Sequence, residues 1–380
     1  MKFFFICLCL LLSISAGWAA EPIKIAFIGP MTGDFALVGK EAKQVLTLLV
    51  SDINSQGGLL GRKVELLLED DGGNTETAVP AGKRLVQQGV VAVIGSFRSG
   101  VTESLQSIFN DAKIVQISYG STAASLTEKG YRYFFRTCPQ DNEQAKVVVN
   151  LIRKLKIKKV AVLHDNSLYG KELAERIRNR LFEWMIDVVF YESLAPGQAD
   201  YLPVLEKIKA TGPEMIFYAG YYPEAARLLV GRDQMEWKVA VMGGDAVNNP
   251  DLVELAGKKA AEGFYFLSPP MPADLHSLKA KKLLDRYASV YGEKPLSIYA
   301  FLAGDAFLAV TESIRKTQTT DPEKVADYLH RTYYNPAGLT GILYFDFKGD
   351  VVNDLYGIYR VDGEGNFILQ TLLQHGKIVQ

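Results

Sequence analysis

The residues best suited to hold a small molecule stand in short polar or glycine-bearing runs, each following an apolar stretch. They are Gly29 to Gly33, Ser96 to Gly100, Ser118 to Thr122, Asp165 to Tyr169, Tyr221-Tyr222 and Asp245. Such loops offer hydroxyls and backbone N–H groups to an anion and a carboxylate to a cation. Ser99 and Thr102 stand where a helix begins, and exposed N–H groups there suit a bound anion. Capping of that helix by Ser99 is the competing reading. Tyr169, Tyr221, Tyr222 and Tyr299 each read singly as packing residues, but three of them follow strand ends. Reactive chemistry has no comparable grouping. His164, His276, His330 and His375 are dispersed, without the spacing of a zinc site. No G-x-S-x-G elbow occurs. Gly29-Pro30-Met31-Thr32-Gly33 is not a dinucleotide fingerprint, so Asp70-Asp71 reads as a solvated or capping pair. The residues point to binding rather than catalysis, with no metal and no cofactor.

The elements that must position these loops alternate along the chain. Ile23 to Ile28, Lys63 to Leu68, Val90 to Ile94 and Ile114 to Ile117 read as buried strands, separated by amphipathic helices at 39–56, 75–88 and 101–111. The rhythm restarts after Cys138-Pro139, with helices at 141–155, 169–184, 201–210 and 223–233. Strands are expected there at 160–163, 187–192, 215–218 and 239–242. This alternation predicts an α/β fold with parallel sheets covered on both faces, in two lobes rather than one barrel. Helical patterns at 274–291, 298–316 and 322–332, then strands near 342–347 and 355–361, suit a tail that crosses back between lobes. In open α/β sheets, ligands bind outside the carboxyl ends of strands, where the polar loops fall.

Composition narrows the partners. The chain has 380 residues, 42 Lys+Arg against 43 Asp+Glu, and a net charge of −1, which disfavours nucleic acid. Arg153 to Lys159 holds five basic residues in seven, a pattern read as a solvated helix face and turn. Met1-Lys2, the apolar run from Phe3 to Ile14 and the small residues Gly17 and Ala19 read as an export leader, residues 1–19. The run is too short for a membrane anchor. Cys7 and Cys9 go with the leader, leaving Cys138 as a single thiol that cannot form an internal disulfide.

Taken in order, these stretches resemble a known family. The start, Ile25 to Gly33, is followed by Asp52-Ile53-Asn54 to Val64 and Glu69-Asp70-Asp71. Val93 to Ser96, Leu163-His164-Asp165 to Gly170, Tyr218 to Glu224 and Met242 to Asp245 continue it. Together they are similar to the type I periplasmic solute-binding proteins, in the leucine/isoleucine/valine branch that serves ABC transporters. The resemblance covers residues 22–370. It implies two Rossmann-like lobes joined by three crossovers and closing like a flytrap, 20–138 plus 270–343 and 139–269 plus 344–380. It also implies a monomeric periplasmic protein that delivers an amino acid to a membrane permease. By motif, Ser99, Gly120 and Thr122 would hold the ligand carboxylate, and Asp245 its ammonium. Tyr169 and Tyr221 would add aromatic contacts, and Tyr299 would pack on the ligand side chain. A sensor, or an amide or urea binder, would use the same fold.

Three departures from the family pattern are visible. Asp245 stands where Glu is frequent, with ~1.5 Å less reach. Val38 stands where an aromatic is frequent, which widens the expected pocket. Gly73 and Arg98 replace cysteines that some members join. Arg98 either faces the pocket, favouring a ligand with an extra acidic group, or points to solvent. Cys138 falls at the expected first crossover, a natural place for a label that reports closure.

Overall fold

A computed structural model describes residues 21–352, 355–374 and 377–378; the expected leader and His375 lie outside the described residues. Five parallel strands form the first sheet, in the order β2-β1-β3-β4-β5. They are β1 (Ile23–Gly29), β2 (Val64–Asp70), β3 (Ala92–Ile94), β4 (Val115–Ser118) and β5 (Phe134–Arg136). Between them run α1 (Ala36–Ser55), α2 (Thr75–Gln87), α3 (Ser99–Asp111) and the short α4 (Ser125–Glu128). The apolar positions expected to line α1, from Val38 to Ile53, are buried. The helix ends where Gly57 and Gly58 take positive φ, and the Gly58 N–H bonds the Ile53 carbonyl at 2.9 Å.

The second half repeats the winding. It runs through α5 (Asp141–Lys154), β6 (Lys159–His164), α6 (Leu168–Glu183), β7 (Asp187–Ser193) and α7 (Leu202–Thr211). It continues with β8 (Met215–Ala219), α8 (Tyr222–Gln234), β9 (Ala240–Gly243), α9 (Asp251–Ala256), α10 (Lys258–Ala261) and β10 (Tyr265–Ser268). The chain then returns to the first lobe, where α12 (Ile298–Thr317) packs on α1, β3 and β4, flanked by α11 (Leu278–Tyr291) and α13 (Pro322–Arg331). A two-stranded ribbon, β11 (Tyr334–Asn335) with β12 (Leu343–Tyr344), precedes the third crossing. Finally β13 (Tyr356–Val361), β14 (Phe367–Gln374) and β15 (Lys377–Ile378) add antiparallel strands to the second sheet, beyond β10. This is the two-lobed α/β architecture that the alternation predicts, with the three crossovers that the family resemblance implies. The strands β5, β10, β11, β14 and β15 are absent from that prediction.

The first and third crossings are tied by one buried guanidinium. Arg136, at the end of β5, donates to Asp350 at 2.5 Å, to the Ser121 and Ala123 carbonyls at 3.1 and 2.7 Å, and to the Thr127 hydroxyl at 2.7 Å. Thr127 in turn donates to the second Asp350 oxygen at 3.0 Å. Every arm of the fork is satisfied, so the charge is tolerated without water. Asp350→Ala leaves Arg136 buried and unpaired, and should cost about 3–5 kcal/mol of unfolding free energy. A urea midpoint within error of the parent would refute that role.

Candidate functional site

The loops singled out in the sequence converge where the carboxyl ends of the two sheets face each other. From the first lobe come the loops after β1, β3 and β4; from the second come those after β6, β8 and β9, with the start of α12 alongside. The lobes touch at several points. Tyr222 donates to the Asp34 carbonyl at 2.6 Å, and Tyr299 donates to the Asp245 carbonyl at 3.2 Å.

On the first-lobe side, Ser99 is buried at the first position of α3. Its hydroxyl accepts from the Ala123 N–H at 3.3 Å, joining the loops after β3 and β4. It does not cap its own helix, because Arg98 occupies the N-cap position. Thr102 accepts from the Ser96 N–H at 3.1 Å and shares a 2.7 Å bond with Ser121. Gly120 has a packing reason to be glycine, since a Cβ there would strike the Phe97 ring. Thr122 is buried; its hydroxyl faces the Asp141 carboxyl and has no other partner among the described residues.

Asp245 opens the turn after β9 and is buried. Its N–H donates to the Gln144 side-chain carbonyl at 3.1 Å, while its carboxyl faces the Tyr169 hydroxyl and leaves Oδ2 without a well-formed hydrogen bond. Gln144 also donates to Asp141 at 2.9 Å, so one amide bridges the two acids. Asp141, buried at the start of α5, gives its N–H to the Thr122 carbonyl at 2.9 Å and likewise leaves Oδ2 unpartnered. Burial pushes the Asp245 carboxyl up to about 7. Burial, with the Asp245 charge adding to it, raises Asp141 well above the usual range. Two acids and a hydroxyl, all sealed and short of partners, make a site that favours a cation bearing hydrogen-bond donors. Asp141 was not among the sequence candidates. It follows β5 as the other polar loops follow their strands, so recognising Tyr131 to Arg136 as strand-forming would have exposed it.

The aromatics form the wall and lid. Tyr169 and Tyr221 are buried with ring centroids 5.6 Å apart, and the Tyr169 hydroxyl reaches the Ala246 N–H at 3.5 Å. A Cβ on Gly244 would collide with that hydroxyl, which accounts for glycine beside Asp245. Tyr299 meets Phe97 edge-on at 4.7 Å. At position 38 the small Val38 is buried; Phe35, one turn earlier, instead packs on Phe97, Tyr221 and Tyr222.

Arg98 lies at the rim. Its guanidinium sits 4.4 Å from the Tyr221 ring centroid and 5.2 Å from that of Phe35, and donates to the Gly73 carbonyl at 2.8 Å. It also experiences the charges of Asp165 and Glu224 in the second lobe. Pockets of about 240 and 400 Å³ open on either side of it. The two positions that the family joins by cysteines are therefore neighbours here, held by a hydrogen bond.

Two expectations change. Asp70 ties its loop by accepting from Met31, Thr32 and Gly72, but Asp71 is neither solvated nor capping. It is buried, accepts hydrogen bonds from the Ser96 hydroxyl and the Gly73 N–H, and its pKa is pushed up to about 6 by burial. Cys138 is buried, with its thiol 3.4 Å from the Ser121 carbonyl and its pKa raised by desolvation, so it is a poor labelling site. Among the described residues, no group of three acids, histidines or cysteines is arranged to hold a metal ion.

Known proteins share this architecture. The family model described as "Periplasmic binding protein" matches residues 22–366. A leucine-, isoleucine-, valine-, threonine- and alanine-binding protein of Pseudomonas aeruginosa is 32% identical over 348 residues, covering 91% of each chain. The Leu/Ile/Val-binding protein of Escherichia coli is 28% identical over 365 residues, 94% of this chain and 95% of that one. Among solved structures, the leucine-binding protein LivK of Thermotoga maritima superposes with a TM-score of 0.86 at 26% identity, covering 93% of this chain and 99% of that one. LivJ of Streptococcus pneumoniae, in complex with isoleucine, gives 0.83 at 29% identity with the same coverage. Fold, crossovers and sequence agree, and the chain belongs to the periplasmic binding protein family.

Proposed function

We propose that this chain is a periplasmic solute-binding protein that captures an α-amino acid, branched-chain or related, between its lobes and delivers it to an ABC-transporter permease. It acts by binding and closure and performs no chemistry. The observation that carries this reading is the sealed cluster of Thr122, Asp141 and Asp245, two buried carboxyls and a hydroxyl whose acceptor oxygens outnumber the donors around them. An ammonium supplies the donors and the charge they lack. Two acids favour an ammonium over a neutral amide or urea. The anion side falls to Ser99 with the backbone near Gly120 and Thr122. The aromatic wall of Tyr169, Tyr221 and Tyr299 suits an apolar ligand side chain. The ligands in the names of the relatives, leucine, isoleucine and valine, fit that description.

Lobe limits near residues 138, 270 and 343, removal of residues 1–19 on export and a monomeric carrier all go with this reading. Arg98 takes a different part from the one its sequence position suggested. Stacked on Tyr221 of the opposite lobe, it serves as a latch at the mouth rather than as a reader of ligand charge. A ligand shifts an open–closed equilibrium only through differential affinity for the two states. Contacts from both lobes, Thr122 on one and Asp245 on the other, provide it.

Isothermal titration tests the assignment. Asp245→Ala should weaken leucine or valine binding by more than about 2 kcal/mol, roughly thirtyfold, because a desolvated charge loses its partner. Near-parental affinity would reject it.

The raised carboxyl gives a signed pH dependence. Above about 7 Asp245 is ionised in the empty protein and ready for an ammonium; below it, the proton must first leave. Affinity should therefore fall with acidification below about pH 7, by at most about tenfold per unit for this group, with proton release on binding. In the empty protein the same raised pKa favours folding at low pH, and that contribution fades as pH rises from about 4 through about 7. Affinity that stays flat between these limits would contradict an ammonium partner for Asp245.

Arg98→Ala should weaken all amino acids alike, by about three- to tenfold, as expected for loss of a partly buried cation–π contact. A loss confined to acidic amino acids would instead assign Arg98 to the ligand side chain.

A further inference from the structure

One sequence motif is not absorbed by the cleft: the basic run Arg153 to Lys159. It lies at the opposite end of the second lobe from the site, where α5 ends and β6 begins. The six residues of β6 separate that end from the cleft by ~20 Å. There α5 and α6 pack side by side and both finish in tight turns, with Lys156 and Met185 at positive φ.

The two turns present an apolar knuckle. Phe182 is 83% exposed, Met185 89%, Leu155 55% and Trp184 48%. The Arg153 guanidinium lies 3.2 Å from the Trp184 ring centroid, which fixes the two turns against each other. Around the knuckle stand Arg153, Lys154, Lys156, Lys158, Lys159 and Arg180, against Glu183, Asp187 and Glu214. Among the described residues none of these six cations forms an ion pair. Apart from the Arg153–Trp184 stack, the protruding Phe182 and Met185 side chains stand exposed and the surplus charge has no acidic partner among the described residues.

We propose that this knuckle docks on an anionic lipid bilayer. Phe182 and Met185 enter the boundary between headgroups and acyl chains, Trp184 sits at headgroup depth, and the surrounding cations meet lipid phosphates. Two features favour a bilayer over a second copy of the chain. The patch is a convex tip rather than a groove, which suits a broad deformable surface. A two-fold contact would also bring six cations against six. Docking by this end leaves the cleft uncovered and holds a carrier beside the membrane in which its transporter resides. The inference extends the transport reading but fails separately from it.

The test uses the full exported chain in vesicle flotation. Phosphatidylcholine vesicles should leave it in solution, whereas vesicles with about 30 mol% phosphatidylglycerol should carry it up, with a blue shift in tryptophan emission. The double variant Phe182→Ser/Met185→Ser, and separately Lys154→Glu/Lys156→Glu, should each lower the bound fraction at least tenfold. Salt of about 0.5 M should release the parent. Leucine affinity and melting temperature should stay at parental values in both variants, which separates this result from a failure of the cleft. No flotation of the parent, or equal flotation of parent and variants, would overturn the proposal. So would a concentration-dependent dimer abolished by Phe182→Ser/Met185→Ser, which would give the knuckle to a second copy.

Discussion

The structure turns on a charge buried where three chain segments meet. The Arg136 guanidinium is wholly enclosed and spends its donors on Asp350, on two carbonyls of the loop after β4 and on Thr127. An ion in this position is tolerable only with all of its partners, so the partners must arrive together. That condition joins the first crossing to the third. It also holds the 121–123 loop from behind, and this loop presents Thr122 and bonds Ser99 and Asp141. The same positive charge lies close enough to Asp141 to offset part of its burial cost. The binding loops thus rest on an electrostatic pin rather than on apolar packing alone.

Against that pin, the cleft is built with a deficit. Asp141 and Asp245 share the Gln144 amide yet repel each other, and each keeps one oxygen unserved. Burying these two carboxyls is costly, and the proposed ammonium would relieve that cost. The difference is available to drive closure. The lips add smaller increments through Tyr222 on Asp34, Tyr299 on Asp245 and Arg98 on Tyr221. All three contacts join residues of different lobes, so they favour the closed form.

How much of this was readable in the residues alone differs by element. Long helices such as α1 and α12 and the apolar strands β1, β6 and β8 declared themselves, because burial on one or both faces leaves a period in the side chains. The post-strand loops then followed from the α/β rule, which is how Ser99, Thr122, Tyr221 and Asp245 came into view. Short strands carry too few residues for a period. β5 has three, mostly aromatic, and β10 has four between glycine- and proline-rich turns. Missing β5 also hid Asp141, the acid that follows it. Arg98 was legible as an oddity but not in its contact with Tyr221, which joins residues far apart in the chain. Asp71 was misjudged because no local pattern shows that Ser96 and Gly73 close over it.

The threefold crossing also orders events in time. The first sheet is complete by residue 136, yet α12, which packs on two of its strands, is not made until residues 298–317. The second sheet has its parallel strands by residue 268 and waits for β13 and β14 to extend it. A chain appearing from its amino end therefore holds a first sheet without α12 and a second sheet without its antiparallel strands until its last quarter emerges. Both lobes then finish almost at once, and Asp350 reaches Arg136 in that same interval. Truncation from the carboxyl end would leave neither lobe whole, and during biogenesis the exposed sheets depend on being shielded until the tail arrives.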